Sequence, residues 1–133
     1  MTAPTFDRAP GLDDLAAIAE EALGMLPEEL ARHCRDVVVR IEELCDEETE
    51  DEMELESPFE LLGLYTGNAL PYRGAGDVRQ DVDMIVLYRL PIVLEWCESG
   101  ESLARVVRHV LIHEIGHHFG FSDADMTRLE REN

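Results

Sequence analysis

Residues 110–123 read V-L-I-H-E-I-G-H-H-F-G-F-S-D, an apolar helical stretch that is interrupted by polar side chains. On a helical wheel of residues 101–119, the apolar arc includes Glu114, with His113 and His117 together at its border. An unpaired carboxylate that points toward a core is strongly destabilising or stays protonated. A cleft that holds a metal ion and a water molecule removes this cost. The position of Glu114 therefore indicates a functional site.

The polar residues have the spacing H-E-x-x-H over residues 113–117. Histidines at positions i and i+4 project from one face of a helix, close enough to bind one cation. The glutamate that follows the first histidine faces the open side of the metal, where it can take a proton from a bound water. We therefore predict that His113 and His117 are metal ligands and that Glu114 is the general base.

Two further residues extend the motif to H-E-x-x-H-x-x-G-x-x-D. Gly120 can end the helix with a left-handed turn, which brings the chain back so that Asp123 completes the coordination. Three protein ligands and one water form the usual open catalytic zinc site. The prediction is one Zn²⁺ per chain, bound by His113, His117 and Asp123.

Neighbouring side chains offer alternatives to this ligand set. Asp123 is also a candidate N-cap of the last helix, in which case Asp125 is the substitute ligand. His109 lies one turn before the first motif histidine but further onto the polar face, so we expect it to face solvent. His118 lies on the apolar side, and we expect it to be packed or hydrogen-bonded.

The periodicity of the whole chain predicts an α+β fold. Helical spacing marks residues 11–26, a short segment that begins at Pro27, a long helix from about residue 101 and a last helix over residues 123–131. Strands are predicted over residues 37–44 and 83–90, the latter stopped by Pro91; residues 59–65 are a helical turn or strand, 66–77 a turn-rich connector and 92–97 a helical turn. The length suits a single domain over residues 1–133, with residues 1–10 as a loose tail.

The charge balance excludes some partners. The chain carries 30 acidic and 11 basic residues, a net charge of −19, which repels nucleic acid and anionic membranes and favours basic partners. Ten of the fifteen residues 42–56 are acidic, which predicts a solvated loop or strand edge. The most apolar stretch, over residues 84–97, is broken by charges and a proline, so we expect no membrane span.

The expected compartment is the cytoplasm. The first ten residues lack the basic and apolar regions of a signal peptide. Cys34, Cys45 and Cys97 form no C-x-x-C pair, and we expect reduced, partly buried thiols rather than disulfides or a zinc knuckle.

The motif resembles the metzincin-type H-E-x-x-H-x-x-G-x-x-H zinc peptidases, with aspartate at the third ligand position. More closely, the chain resembles a family of small bacterial zincin-like metallopeptidases. This resemblance rests on the motif segment, on M-I-V-L-Y-R-L-P and on L-L-G-L-Y-T-G-N-A-L-P, which together run from about residue 60 to residue 125. It implies a minimal zincin fold, with helices packed on a small mixed sheet and the H-E-x-x-H helix beneath an open groove. It also implies the same ligands, His113, His117 and Asp123, with Glu114 as the base.

The predicted function is zinc-dependent hydrolysis of a peptide or protein substrate, with basic substrates favoured. Zinc lowers the pKa of its bound water to about 7 and polarises the scissile carbonyl. Glu114 accepts the proton and passes it to the leaving amine. We expect the peptide to align along the strand edge of the Met84–Tyr88 region. Tyr65 or Tyr88 assists the oxyanion if it faces the cleft.

The alternative is a metal-binding or peptide-binding module that keeps the site with little or no turnover. It is motivated by the ten residues that follow Asp123, which leave no room for a C-terminal subdomain or a Met-turn. Met126 is then a core residue of the last helix. A di-iron protein is disfavoured, because it needs Glu-x-x-His pairs on further helices.

Overall fold

The structure, a computed structural model, describes residues 8–67 and 83–131. The helices are α1 (Leu12–Gly24), α2 (Glu28–Ala31), α3 (Glu47–Glu52), α4 (Arg89–Ser99), α5 (Leu103–His118) and α6 (Asp123–Arg131). The strands are β1 (Val38–Glu42), β2 (Gly63–Thr66) and β3 (Met84–Tyr88), and a 3₁₀ turn covers Pro58–Glu60. Most of the predicted connector over residues 66–77, and residues 1–7 of the predicted tail, lie outside these ranges.

The three strands form one mixed sheet in the order β1-β3-β2. β3 is parallel to β1 and antiparallel to β2. Its side chains alternate between the two faces: Ile85 and Leu87 join the main core with α5, whereas Val86 and Tyr88 join a smaller cluster on the opposite face. The predicted fold class, a small mixed sheet packed with helices, is confirmed.

The central position of β3 corrects one prediction. Because β3 pairs with β1 on one side and β2 on the other, its edges have no room for a peptide. The expectation that a substrate aligns along Met84–Tyr88 is therefore wrong. Among the strands of the described ranges, β1 and β2 are the outer ones.

Helix α5 is built as its apolar periodicity predicts. Its side chains fill the main core with those of α1, the sheet and α6, and the buried members are Leu103, Val106, Val107, Val110, Leu111, Ile112 and Ile115. Ser102 caps the helix, since its Oγ accepts a hydrogen bond from the Arg105 N–H at 3.2 Å. One face of α5 is thus fixed against the core, and the residues beside that face are fixed with it.

Two segments differ from the prediction. The acidic segment contains helix α3 instead of a loop or strand edge, although no α3 residue is buried. Asp46 caps this helix by accepting a hydrogen bond from the Thr49 N–H at 2.8 Å. Pro91 does not stop β3 directly: it lies in the first turn of α4, where a helix needs no N–H donor.

Other parts of the structure bear on the remaining expectations. Pro10 is fully buried, and its carbonyl accepts a hydrogen bond from Arg89 Nη1 at 2.7 Å, so the end of the predicted tail is packed. All three cysteines are free; Cys34 and Cys45 are buried and Cys97 is exposed. None of the helices in the described ranges is long and apolar enough to cross a bilayer.

Candidate metal centre

The motif helix ends at a left-handed glycine, as the spacing predicts. Gly120 has a φ of 82°. Its N–H donates to the His117 carbonyl at 3.2 Å, and the Phe121 N–H donates to the Gly116 carbonyl at 2.8 Å. These two bonds are those of a Schellman motif, which reverses the chain after the helix. The reversal carries Asp123 back toward α5.

Asp123 lies beside His117 and does not cap α6. Its Oδ1 is 3.6 Å from His117 Nε2, and both side chains are exposed. The capping residue is Ser122, whose Oγ accepts a hydrogen bond from the Asp125 N–H at 3.1 Å and whose carbonyl accepts one from the Met126 N–H at 3.0 Å. The N-cap interpretation of Asp123 is therefore wrong, and its carboxylate is not used in capping.

His113 pairs with a residue that the sequence did not single out. Its ring centroid is 5.8 Å from that of His117, but its Nε2 lies 2.9 Å from Glu130 Oε2. The other oxygen of Glu130 lies 2.7 Å from His109 Nδ1. Within residues 8–67 and 83–131, these three are the one group whose possible ligand atoms all lie within 4.8 Å of one another. The structure thus brings His117 to Asp123, and His113 to Glu130.

The spacing of the motif does not identify Glu130, because that residue lies on a different helix. The available signal was its spacing of four residues from Met126, a buried residue of α6, which places its carboxylate beside the face that packs on α5. His109, expected to face solvent, is 54% exposed at its side chain and yet bonded to this carboxylate.

Glu114 is held between α5 and the sheet. Its carboxylate accepts a hydrogen bond from the backbone N–H of Tyr65 in β2. Burial raises the pKa of Glu114, while the charge of His117 and the Tyr65 N–H act in the opposite direction. A carboxylate with a raised pKa is a stronger base, which is the property that a proton acceptor needs.

The two tyrosines have different surroundings. The Tyr65 ring stacks on His118, with centroids 3.9 Å apart, and its hydroxyl donates to Asp83 Oδ2 at 2.8 Å. Burial raises the Tyr65 pKa. Tyr88 lies on the sheet face away from α5, where burial raises its pKa to about 12. The condition under which it would assist an oxyanion, that it faces the cleft, is therefore not met. His118 is packed, as predicted, and its buried Nε2 has no hydrogen-bond partner within the described ranges.

The predicted ligands suit a zinc ion by their chemistry. His113 and His117 offer imidazole nitrogens from consecutive turns of α5, and Asp123 offers a carboxylate that the helix cap leaves unused. Nitrogen and oxygen donors of these types are common zinc ligands, and three of them leave one position open. The donor set therefore fits the metal that the motif implies.

Comparison with known families agrees with this chemistry. The sequence model of the protein family described as zincin-like metallopeptidase matches residues 34–133 of this chain. These residues span β1 to α6 and include the whole motif. No curated protein matches the chain.

Proposed function

Because the chain belongs to the zincin-like metallopeptidase family, we propose that it hydrolyses peptide bonds at a zinc ion bound by His113, His117 and Asp123. The observation that carries this proposal is the environment of Glu114. Its carboxylate lies partly buried beside the motif histidines and is oriented by a backbone N–H of the sheet. A partly buried, oriented carboxylate beside two possible metal ligands is the arrangement that a general base for a metal-bound water needs.

Each residue has a distinct task in this proposal. A bound zinc ion supplies an acidified water, with a pKa of about 7, and polarises a substrate carbonyl. Glu114 accepts a proton on its carboxylate and returns it to the leaving amine. The hydrogen bond from the Tyr65 N–H orients the Glu114 carboxylate. His113, His117 and Asp123 hold the metal.

The outer strand β2 is the place where we expect the substrate backbone. The Tyr88 N–H donates to the Leu62 carbonyl, so the alternation of an antiparallel pair directs the backbone groups of Gly63 and Tyr65 away from β3. These groups lie on the side of β2 from which Tyr65 reaches Glu114. The Tyr65 N–H already donates to Glu114, so an extended peptide that adds to this edge would use the Gly63 backbone groups and the Tyr65 carbonyl, and it would pass the proposed base.

A turnover assay tests the proposal. The zinc-loaded chain is incubated with unstructured peptides, both basic and neutral, with and without a chelator. We expect cleavage that the chelator abolishes, and a loss of about 10²- to 10⁴-fold in Glu114→Gln with its zinc content unchanged. Glu20→Gln, a change at an exposed glutamate of α1, is the matched control and keeps full activity. Equal rates in Glu114→Gln and the parent contradict the proposed mechanism.

A second candidate function is zinc-dependent peptide binding with little turnover. It is favoured by the contact between His113 Nε2 and Glu130, which draws one motif ligand away from the other two. In that case the assay shows peptide binding that depends on zinc, measured by fluorescence anisotropy, without any cleaved product.

A further inference from the structure

A compact group of metal-binding side chains lies one turn along α5 from His117. It consists of His109, His113 and Glu130, which we call the Glu130 cluster. The two rings lie side by side, with centroids 4.1 Å apart, and each oxygen of the Glu130 carboxylate faces one of them, at 2.7 and 2.9 Å. The cluster therefore offers two imidazole nitrogens and two carboxylate oxygens at one place.

The packing of α6 on α5 holds this group together. Met126 and Leu129 of α6 are fully buried in the main core. Arg108 Nη2 adds a hydrogen bond to the Leu129 carbonyl at 3.2 Å. Glu130 follows directly, and its side chain is only 26% exposed. The carboxylate is thus presented to the two rings by a fixed backbone.

The distances suit a transition-metal ion. Ligand atoms around a tetrahedral zinc ion with bonds of 2.0–2.1 Å lie about 3.4 Å apart. The two contacts of Glu130 are already shorter than that, and one ligand atom from each of the three residues lies within 4.8 Å of the others. Small rotations of the side chains bring all of them to bonding distance. Imidazole and carboxylate together suit zinc, cobalt or nickel rather than calcium or magnesium.

The charges nearby both favour and oppose a cation. Arg105, Arg108 and Arg131 line a groove beside Glu130 and oppose a cation there, although Arg105 is paired with Glu101 at 2.9 Å. On the other side, Glu95 and Glu101 line a groove that also reaches His109 and Glu130. The net charge of −19 attracts cations to the whole surface. The acidic side chains and the bonds to two imidazole nitrogens together favour binding of a transition-metal ion.

We propose that His109, His113 and Glu130 form a second site for a divalent transition-metal ion, and that this site competes with the motif site for His113. The competition follows from the chemistry of the ring. A neutral imidazole has one nitrogen with a free lone pair, so His113 serves one ion at a time. The other two motif ligands, His117 and Asp123, lie on the opposite side of His113 along α5. An ion in the Glu130 cluster therefore leaves the motif site with two ligands.

Titration of the metal-free chain with Co²⁺ tests the proposal, with binding read from visible absorption and the number of ions from equilibrium dialysis. His117→Gln removes only the motif site, and Glu130→Gln removes only the second site. We expect one ion per chain for the parent and for each of these variants. Binding falls by about 100-fold or more in the double variant and in His113→Gln, because both sites are then incomplete.

Three results overturn the proposal. The first is that His117→Gln binds no Co²⁺ although its circular dichroism spectrum is unchanged. The second is that His117→Gln and the double variant bind Co²⁺ with equal affinity. The third is that the parent binds two ions. If His117→Gln does not fold, Asp123→Ser disables the motif site by another route and takes its place in every comparison. The proposal does not depend on hydrolysis, so a chain without peptidase activity leaves the titration fully informative.

Discussion

Met126 of α6 packs its Cγ and Sδ atoms against Gly116 of α5, in the space that a Cβ atom at position 116 needs. An added Cβ would lie 2.7 Å from Met126 Cγ. This contact lets the two helices approach closely, and it lies between the two carboxylates that reach the histidines. Asp123 is three residues before Met126, and Glu130 is four residues after it. The small residue within H-E-I-G-H thus determines where both carboxylates lie.

Gly116→Ala should therefore destabilise the chain. Crowding of a packed core costs about 1–3 kcal/mol, against a gain of about 1 kcal/mol from helix propensity. Urea unfolding measures the difference. Gly24→Ala is the matched control: its added Cβ meets nothing within 4 Å at the end of α1, so we expect unchanged or higher stability.

The same contact predicts coupling between the two positions. Met126→Ala alone should cost about 2–5 kcal/mol, because it leaves a cavity in the core. With that space open, Gly116→Ala should become harmless, so the double variant should be more stable than the sum of the single changes by about 1 kcal/mol or more. Additive effects would show that Met126 is not what the new Cβ meets.

Substitutions at Ser122 and at Asp123 should have different effects, the first on stability and the second on metal affinity. Ser122→Ala removes the cap of α6 and should lower the free energy of unfolding by about 1 kcal/mol, with metal affinity unchanged. Asp123→Ser should have a small effect on stability. In the Glu130→Gln background it should weaken Co²⁺ binding by about 100-fold, because one of three ligands is lost. Tight binding in that double variant would exclude Asp123 as a ligand.

Tyr65→Phe should lower the free energy of unfolding and leave the zinc affinity unchanged. The lost hydroxyl donates to a carboxylate of Asp83, and a hydrogen bond to a charged group contributes about 1.5–3 kcal/mol. The backbone N–H that contacts Glu114 is unchanged by the substitution. We therefore expect a lower urea midpoint with the same zinc affinity in a chelator competition. A selective loss of turnover at full stability would instead support the oxyanion role for this tyrosine.

The three thiols should react at different rates. Burial raises the pKa of Cys34 and Cys45, which lowers their thiolate fraction at any pH below that pKa, and neither side chain is accessible. Labelling with a coloured disulfide at pH 8 should modify Cys97 first and the other two slowly. Cys97→Ser should remove the fast phase. Two fast thiols in the folded parent would contradict the burial of Cys34 or Cys45.

The sequence predicted those helices and strands whose hydrophobic periodicity matches the face that they bury. The β-branched runs became β1 and β3, and the apolar arc of residues 101–119 became the packed face of α5. Helix α3 was missed because its residues bury nothing, so no periodicity marks it, although Asp46 is a good cap. The prediction that Pro91 stops β3 was wrong because a proline is compatible with the first turn of a helix as well as with the end of a strand.

The candidate site was predictable only along one helix. Spacing identifies His113, Glu114 and His117, since they share α5, and the positive φ of Gly120 bears out the predicted turn. It does not identify Glu130, because that residue meets His113 only through the packing of a separate helix. It also could not show that Ser122, rather than Asp123, caps α6.

Glu130 ties the state of His113 to a different helix. Its carboxylate stays beside the His113 ring only while α6 is packed on α5 through Met126 and Leu129. Any loosening of this packing separates the carboxylate from His113 Nε2 and frees that nitrogen for another partner. The stability of the contact between the two helices therefore influences which partner His113 takes.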